Sequence, residues 1–401
     1  MTINVPELLS PAGNLDKLKV AISYGANAVY LGGLKFGLRS AADNFTDEEL
    51  LEGVTFAHDR DAVVYVVLNG FLHDKDLDEL VPFIRYLEEI AIDAVIVSDL
   101  GVIETIKAHT NLEIHLSTQA SCLNSYSAKL WKKMGVTRIV LGREVSIDEA
   151  AKIKKDADIE IEMFVHGSMC MAFSGNCVIS NFTQGRDSNR GGCAHSCRFE
   201  YSLKFEDMDF EKKNHYFMSS TDLNGLRVLE KFIEAGIDSI KVEGRMKSHL
   251  YAATMSKVYS EALRYYKENG HFLSDKIVEW ESELKKVKHR TYAPANLVEK
   301  AATDTIFDER VHDKDSNYAI VGRVLDRANE DEIIIEVRNA FNIGDEVELI
   351  PFKGATATIK INQMRLMNNT AIERTNPSTL VKIPFSGLCE ANNIVRMQVL
   401  S

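Results

Sequence analysis

Four cysteines crowd one stretch of this chain: Cys170, Cys177, Cys193 and Cys197, spaced C-x6-C-x15-C-x3-C. Lone structural cysteines sit among apolar neighbours. Here the residues between them include "SNFTQGRDSNRGG", polar and glycine-rich. Such a backbone can wrap a centre and aim N–H groups at its sulfurs, so the four thiols read as ligands of one metal site. Zinc ribbons use two closely spaced cysteine pairs, and only the second pair here is close. An iron–sulfur cluster also takes four thiolates and tolerates looser spacing, which favours [4Fe–4S] and leaves zinc as the alternative. His195, inside the last spacer, is a spare ligand. The other two cysteines, Cys122 and Cys389, are isolated and read as core thiols.

Something must hold that stretch in place. Eight short apolar runs, each ending in polar or glycine residues, alternate with segments of helical length: "ELLS" (7–10), "AVYLGG" (28–33), "VVYVVLN" (63–69), "AVIVSD" (94–99), "IHLSTQ" (114–119), "RIVLG" (138–142), "IEMFVHG" (161–167) and "SIKVEG" (239–244). Glycine stops a helix just before a strand in "YGANAVYLGG", "MGVTRIVLGR" and "AGIDSIKVEG". Continuous apolar strands alternating with helices imply a covered parallel sheet. Eight of them most simply close into a (β/α)8 TIM-like barrel. The rival doubly wound sheet has neither a G-x-G-x-x-G fingerprint nor a Walker A loop to support it.

The segment after the seventh strand, with an insertion over about 167–222, carries all four clustered cysteines and leaves from the catalytic face of such a barrel. The barrel is expected over residues 1–270, with a helical and irregular linker over 271–317 whose "DKIVEWESELKKVKHR" reads as a solvated helix. From 318 to 401 short alternating strands predict a separate small antiparallel β-barrel. The strand ends and following loops of the large barrel supply Ser10, Asn69, Asp99, Ser117, Gln119, Arg143, Glu144, His166, Glu243 and Arg245. Each is either a site residue or an ordinary helix cap.

The chain has 401 residues, 45% hydrophobic and 26% charged, with a formal charge of −12. That balance supports a substantial core and argues against a general nucleic-acid coat or an acidic-membrane binder. A local basic groove remains compatible with it. The start, "MTINVPELLSPAG", lacks the pattern of a signal peptide, and no apolar run is long enough to span a membrane. The expected location is therefore the cytoplasm, where a disulfide framework is disfavoured.

At "EMFVHGSMCMAFSGNCVIS" the chain resembles the collagenase-like peptidase family U32, and the likeness extends to "ELLSPAGN", "AVYLGG", "FGLRSAADNF", "HLSTQAS", "RDSNRGGCAHSCR" and "IKVEGRMKS". It covers residues 7–250 and is strongest toward the family's tRNA-hydroxylating branch. The resemblance implies a [4Fe–4S] cluster on Cys170, Cys177, Cys193 and Cys197, and prephenate-dependent conversion of wobble uridine to 5-hydroxyuridine. Some relatives draw their fourth ligand from elsewhere in the chain; Cys122 would then serve and Cys197 would be free. The implied partners are the tRNA anticodon region, a small dicarboxylate and an electron-donor protein.

A dicarboxylate calls for arginines, and Arg39, Arg143 and Arg245, with Asn69, are the candidate substrate-binding residues. Ordinary ion pairs, Arg143 with Glu144 and Arg245 with Glu243, are the competing explanation. His166, Glu243 and Gln119 are the candidate catalytic groups, His166 as a proton relay or a donor to a cluster sulfur. Arg186, Arg190 and Arg198, and the basic patch 285–290, are candidate RNA contacts. The alternative activity is peptidase. It lacks H-E-x-x-H and G-x-S-x-G, which leaves a metal-dependent hydrolase of another kind or a cysteine-based one with Cys170 and His166 as nucleophile and base.

Overall fold

The computed structural model describes residues 3–38, 43–202, 216–301 and 317–399. Strands β1 (Glu7–Pro11), β2 (Ala28–Leu31), β3 (Val63–Leu68), β4 (Ala94–Val97), β5 (Glu113–Leu116), β6 (Arg138–Val140) and β7 (Glu160–Ser168) pair in parallel in chain order. Strand β8 (Asp222–Asn224) lies in the cysteine-bearing insertion and runs antiparallel to the end of β7. Strand β9 (Ser239–Val242) pairs with both β1 and β7 and closes an eight-stranded barrel of β1–β7 and β9. Strand β10 (Tyr292–Ala293) extends the side ribbon by pairing with β8. The eight apolar runs are thus the eight barrel strands, and β8 and β10 are the additions.

Local chemistry explains the alternation. Side chains of Asn14, Thr46, Asp99, Asn124, Ser146 and Ser248 accept backbone N–H bonds at helix starts, with full capping boxes at Thr46/Glu49 and Ser146/Glu149. The helix-to-strand joints hold Gly25, Gly135 and Gly236 at φ of 103°, 95° and 66°, where a side chain would be strained.

Inside the barrel one wall is apolar, built by Leu9, Ala28, Tyr30, Tyr65, Val67, Ala94 and Ile96. The facing wall is ionic: Arg138 Nη1 lies 2.7 Å from Glu7 Oε1 and 3.7 Å from Glu162 Oε2, and Lys241 Nζ lies 2.7 Å from Glu162 Oε1. Buried charges persist only when paired in this way.

The C-terminal strands β11 (Tyr318–Asn329), β12 (Glu332–Val337), β13 (Glu346–Ile350), β14 (Ala357–Lys360), β15 (Arg365–Leu366), β16 (Leu380–Pro384) and β17 (Ile394–Gln398) form one curled antiparallel sheet in the order β14-β13-β17-β11-β12-β16-β15. It docks on the barrel's outer helices. Tyr24 donates to Ile350 O at 2.8 Å, and the fully buried Arg396 meets Glu283 and Glu348, each at 2.6 Å. Helix Ser274–Leu284, expected to be solvated, instead buries Trp280 and Leu284 on its inner face. Its polar face carries the Glu283 that holds Arg396.

Candidate functional site at the barrel mouth

A cavity of about 470 Å³ opens at the C-terminal ends of the barrel strands, roofed by the insertion. Two glycines make it possible. Gly167, at φ 107°, turns the chain from β7 into the cysteine loop so closely over Glu243 that a Cβ would meet its carbonyl oxygen at 2.3 Å. A Cβ on Gly32 would meet the Arg245 guanidinium at 2.6 Å, so the "LGG" at the end of β2 seats that arginine.

All four clustered thiols line this cavity. Burial raises the pKa of Cys170 and of Cys197, and the neighbouring thiols push the same way. Ala172 N–H, donating to Cys170 Sγ at 3.4 Å, and the Arg143 charge oppose that shift at Cys170. Thiols that repel one another as thiolates, with Cys177 buried and Cys170 backed by an N–H donor and an arginine, suit a soft cationic group that would hold them deprotonated. Among the described residues no group of three or more His, Cys, Asp or Glu side chains is arranged to hold a metal ion. Cys122 is buried in the barrel core, with burial raising its pKa to about 11, and does not line the cavity. Cys389 packs against the core of the C-terminal sheet.

Asn69, Ser117, Gln119, Arg143, Glu243 and Arg245 also line the cavity. Arg143 stacks on Phe164 with its guanidinium carbon 3.7 Å from the ring centre, and its Nη2 lies 3.7 Å from Glu243 Oε2. Arg245 donates to Asn44 Oδ1 at 2.5 Å. Glu144 accepts from Ser174 N at 2.7 Å and so anchors the insertion. Buried atoms Asn69 Oδ1, Thr118 Oγ1, Gln119 Oε1, Arg143 Nε and Ser188 Oγ have no hydrogen-bond partner among the described residues. Polar atoms left unpaired around one cavity are what a polar ligand would satisfy. Six cations, Arg143, Arg198, Lys241, Arg245, Lys247 and Arg290, line it against one carboxylate, Glu243. In a chain of net charge −12 that local reversal favours an anionic ligand.

Other expectations are corrected. His166 does not line the cavity. It is buried against Tyr259 and Tyr292, with Nδ1 3.0 Å from the first hydroxyl and Nε2 3.3 Å from the second. Burial, and then the charges of His289 and Lys247, lower its pKa to about 3, so it is a neutral core histidine rather than a proton relay. The pairing of Cys170 with His166 is consequently not formed. The cause is a bulge: the β7–β9 register shifts between Phe164 and His166, which breaks the alternation placing Glu162 and Phe164 in the barrel. Ser10 bonds Ser256 outside the mouth, and Asp99 caps a helix.

Among the RNA candidates, Arg190 pairs with Asp76, and Arg198 binds Met169 O, Ser219 Oγ and Ser220, tying down the insertion beside Cys197. Arg186 is exposed. In the 285–290 patch Lys286 is held by Glu283 and Glu348, and Arg290 by Asp222. Arg39 lies outside the described residues. The reading of the chain missed Tyr30, Phe164, Ser188, Lys247 and above all Lys241. Its signal was a lysine inside the apolar strand "SIKV". No helix among the described residues is long and apolar enough to cross a membrane.

The chain matches the sequence profile of peptidase family U32 over residues 13–306 and that of the peptidase family U32 C-terminal domain over residues 316–396. It is 44% identical over 353 residues to tRNA hydroxylation protein P1 of Bacillus subtilis (strain 168), covering 86% of this chain and 83% of that protein. It is 38% identical over 257 residues to the 23S rRNA 5-hydroxycytidine C2501 synthase of Escherichia coli (strain K12), covering 64% of this chain and 39% of that one. It is also 32% identical over 307 residues to a collagenase of Porphyromonas gingivalis (strain ATCC BAA-308 / W83), covering 73% of each.

Proposed function

The chain belongs to peptidase family U32, and from that premise we propose that it takes part in hydroxylating RNA, converting wobble uridine of tRNA to 5-hydroxyuridine with prephenate as co-substrate. The observation that carries the reading is the convergence, in one barrel mouth, of four thiols with a wall of cations and unpaired polar atoms. Cys170, Cys177, Cys193 and Cys197 would hold a [4Fe–4S] cluster, which when bound supplies electron transfer beside the substrate. Arg143 and Arg245 would grip the carboxylates of the co-substrate. Asn69 and Gln119, with unpaired carbonyl oxygens, would accept N–H groups of a base turned into the mouth, and Glu243 is the carboxylate placed to hold or move a proton there. Replacing the C5 hydrogen of the base by hydroxyl is a two-electron oxidation, so the oxygen donor, prephenate or a species derived from it, must be reduced by two electrons as its oxygen passes to C5.

Two relatives named for RNA hydroxylation support this reading over peptidase activity. The collagenase relative keeps peptidase, metal-dependent or cysteine-based, as the alternative; the cysteine-based form is disfavoured because His166 is turned to Tyr259 and Tyr292 and does not line the mouth with Cys170. The test is nucleoside mass spectrometry of tRNA from a strain lacking the gene. Loss of 5-hydroxyuridine, restored by the wild-type gene, is expected. Unchanged 5-hydroxyuridine after any redundant pathway is also removed would refute the function.

A further inference from the structure

The floor of the mouth holds a charge that the arginines above it do not explain. Lys241 is 4% exposed, lines the cavity from β9, and has Glu162 Oε1, at 2.7 Å, as its one hydrogen-bond partner among the described residues. Its Nζ also lies 4.4 Å from the centre of the Tyr30 ring. An ammonium carries three N–H donors, so most of its donor capacity is left for whatever enters the cavity.

Glu162 does not depend on Lys241 alone. Its other oxygen lies 3.7 Å from Arg138, which is also paired with Glu7 and Glu160 toward the opposite end of the barrel. A purely structural lysine would be enclosed by protein oxygens; this one opens onto a cavity. Lys241 and Arg143 also approach one aromatic ring, that of Phe164, at 5.7 Å and 3.7 Å from its centre.

We propose that Lys241 is a substrate-binding residue that anchors one carboxylate of a small dicarboxylate at the cavity floor, while Arg143 holds the other nearer the rim. This rests on the co-substrate reading above and adds to it the cation that selects two carboxylates over one. Glu162 orients the ammonium.

The test is calorimetric titration of prephenate, and of the monocarboxylate phenylpyruvate, into full-length, anaerobically purified protein. Loss of one charge-assisted contact should weaken prephenate about 10–100-fold in Lys241→Met and similarly in Arg143→Met. Phenylpyruvate should be weakened by only one of the two substitutions. Because Lys241→Met leaves a buried carboxylate short of a cation, the double variant Lys241→Met/Glu162→Gln serves as the folded control and should show the same loss. Prephenate affinity within about twofold of wild type in that folded double variant would overturn the assignment. So would equal weakening of phenylpyruvate by both substitutions. If the wild-type protein itself binds no prephenate, the dicarboxylate reading fails and takes this inference with it, a different result from normal binding by wild type and variant alike.

Discussion

Replacing Arg143 tests the mouth most directly. Its guanidinium lies flat on Phe164 at 3.7 Å, its side chain is 17% exposed, and Glu243, at 3.7 Å, is too far to take a full hydrogen bond. The arginine is thus positioned by stacking and keeps its donors for a ligand. Methionine preserves most of the contact with Phe164, so the barrel should fold. What is lost is a charge-assisted hydrogen bond in a partly buried site, about 1.5–3 kcal/mol, or roughly 10–100-fold in affinity. The expected result for Arg143→Met is a KM for prephenate raised by that factor with a much smaller change in kcat. Arg143→Lys should fall between, because it keeps the charge and loses the fork. The assay is tRNA hydroxylation in vitro at varied prephenate, read by nucleoside mass spectrometry. A KM within about twofold of wild type together with a collapsed kcat would refute the binding role and make Arg143 part of the chemistry or of the cluster surroundings.

Serine at Cys170, Cys177, Cys193 or Cys197 should abolish iron and sulfide incorporation and the broad absorption near roughly 400 nm, whereas Cys122→Ser should leave both intact; one zinc per wild-type chain and a featureless spectrum would instead make the loop a structural staple. His166 is depressed to about 3 in the folded protein. Its unfolded form takes up a proton below about 6.5, so the stability it contributes is present above that pH and is lost as pH falls toward the folded value, at up to about 1.4 kcal/mol per pH unit. Melting curves should accordingly show His166→Gln less acid-sensitive than wild type between those limits, with the prephenate KM unchanged. Arg396→Met should cost about 1.5–3 kcal/mol, because Glu283 and Glu348 lose Arg396 but keep Lys286, and should appear in thermal melts and limited proteolysis as early release of the C-terminal sheet.

Much of this molecule was legible from residue order alone. Apolar runs of strand length, helix-stopping glycines and capping residues are local signals, so all eight barrel strands and the antiparallel character of the C-terminal segment followed from them. The density and polar setting of Cys170, Cys177, Cys193 and Cys197 marked the insertion as the place for chemistry, and barrel topology put Asn69, Gln119, Arg143, Glu243 and Arg245 at one mouth. What the tertiary structure decided was which way side chains face and what they meet. The bulge that carries His166 out to Tyr259 is a mismatch between two strands far apart in sequence, invisible in either one. Lys241 reads as a stray charge in an apolar strand until the closing of β9 onto β7 brings it to Glu162 and opens it to the cavity. Arg190, Lys286 and Arg290 were free cations on the page of sequence, and their partners Asp76, Glu348 and Asp222 come from elements that only folding brings near. Periodicity and capping act over a few residues and survive in the linear chain; partnership in a barrel is a long-range property, and there the three-dimensional contacts alone determine whether a charged side chain binds a ligand or holds the fold.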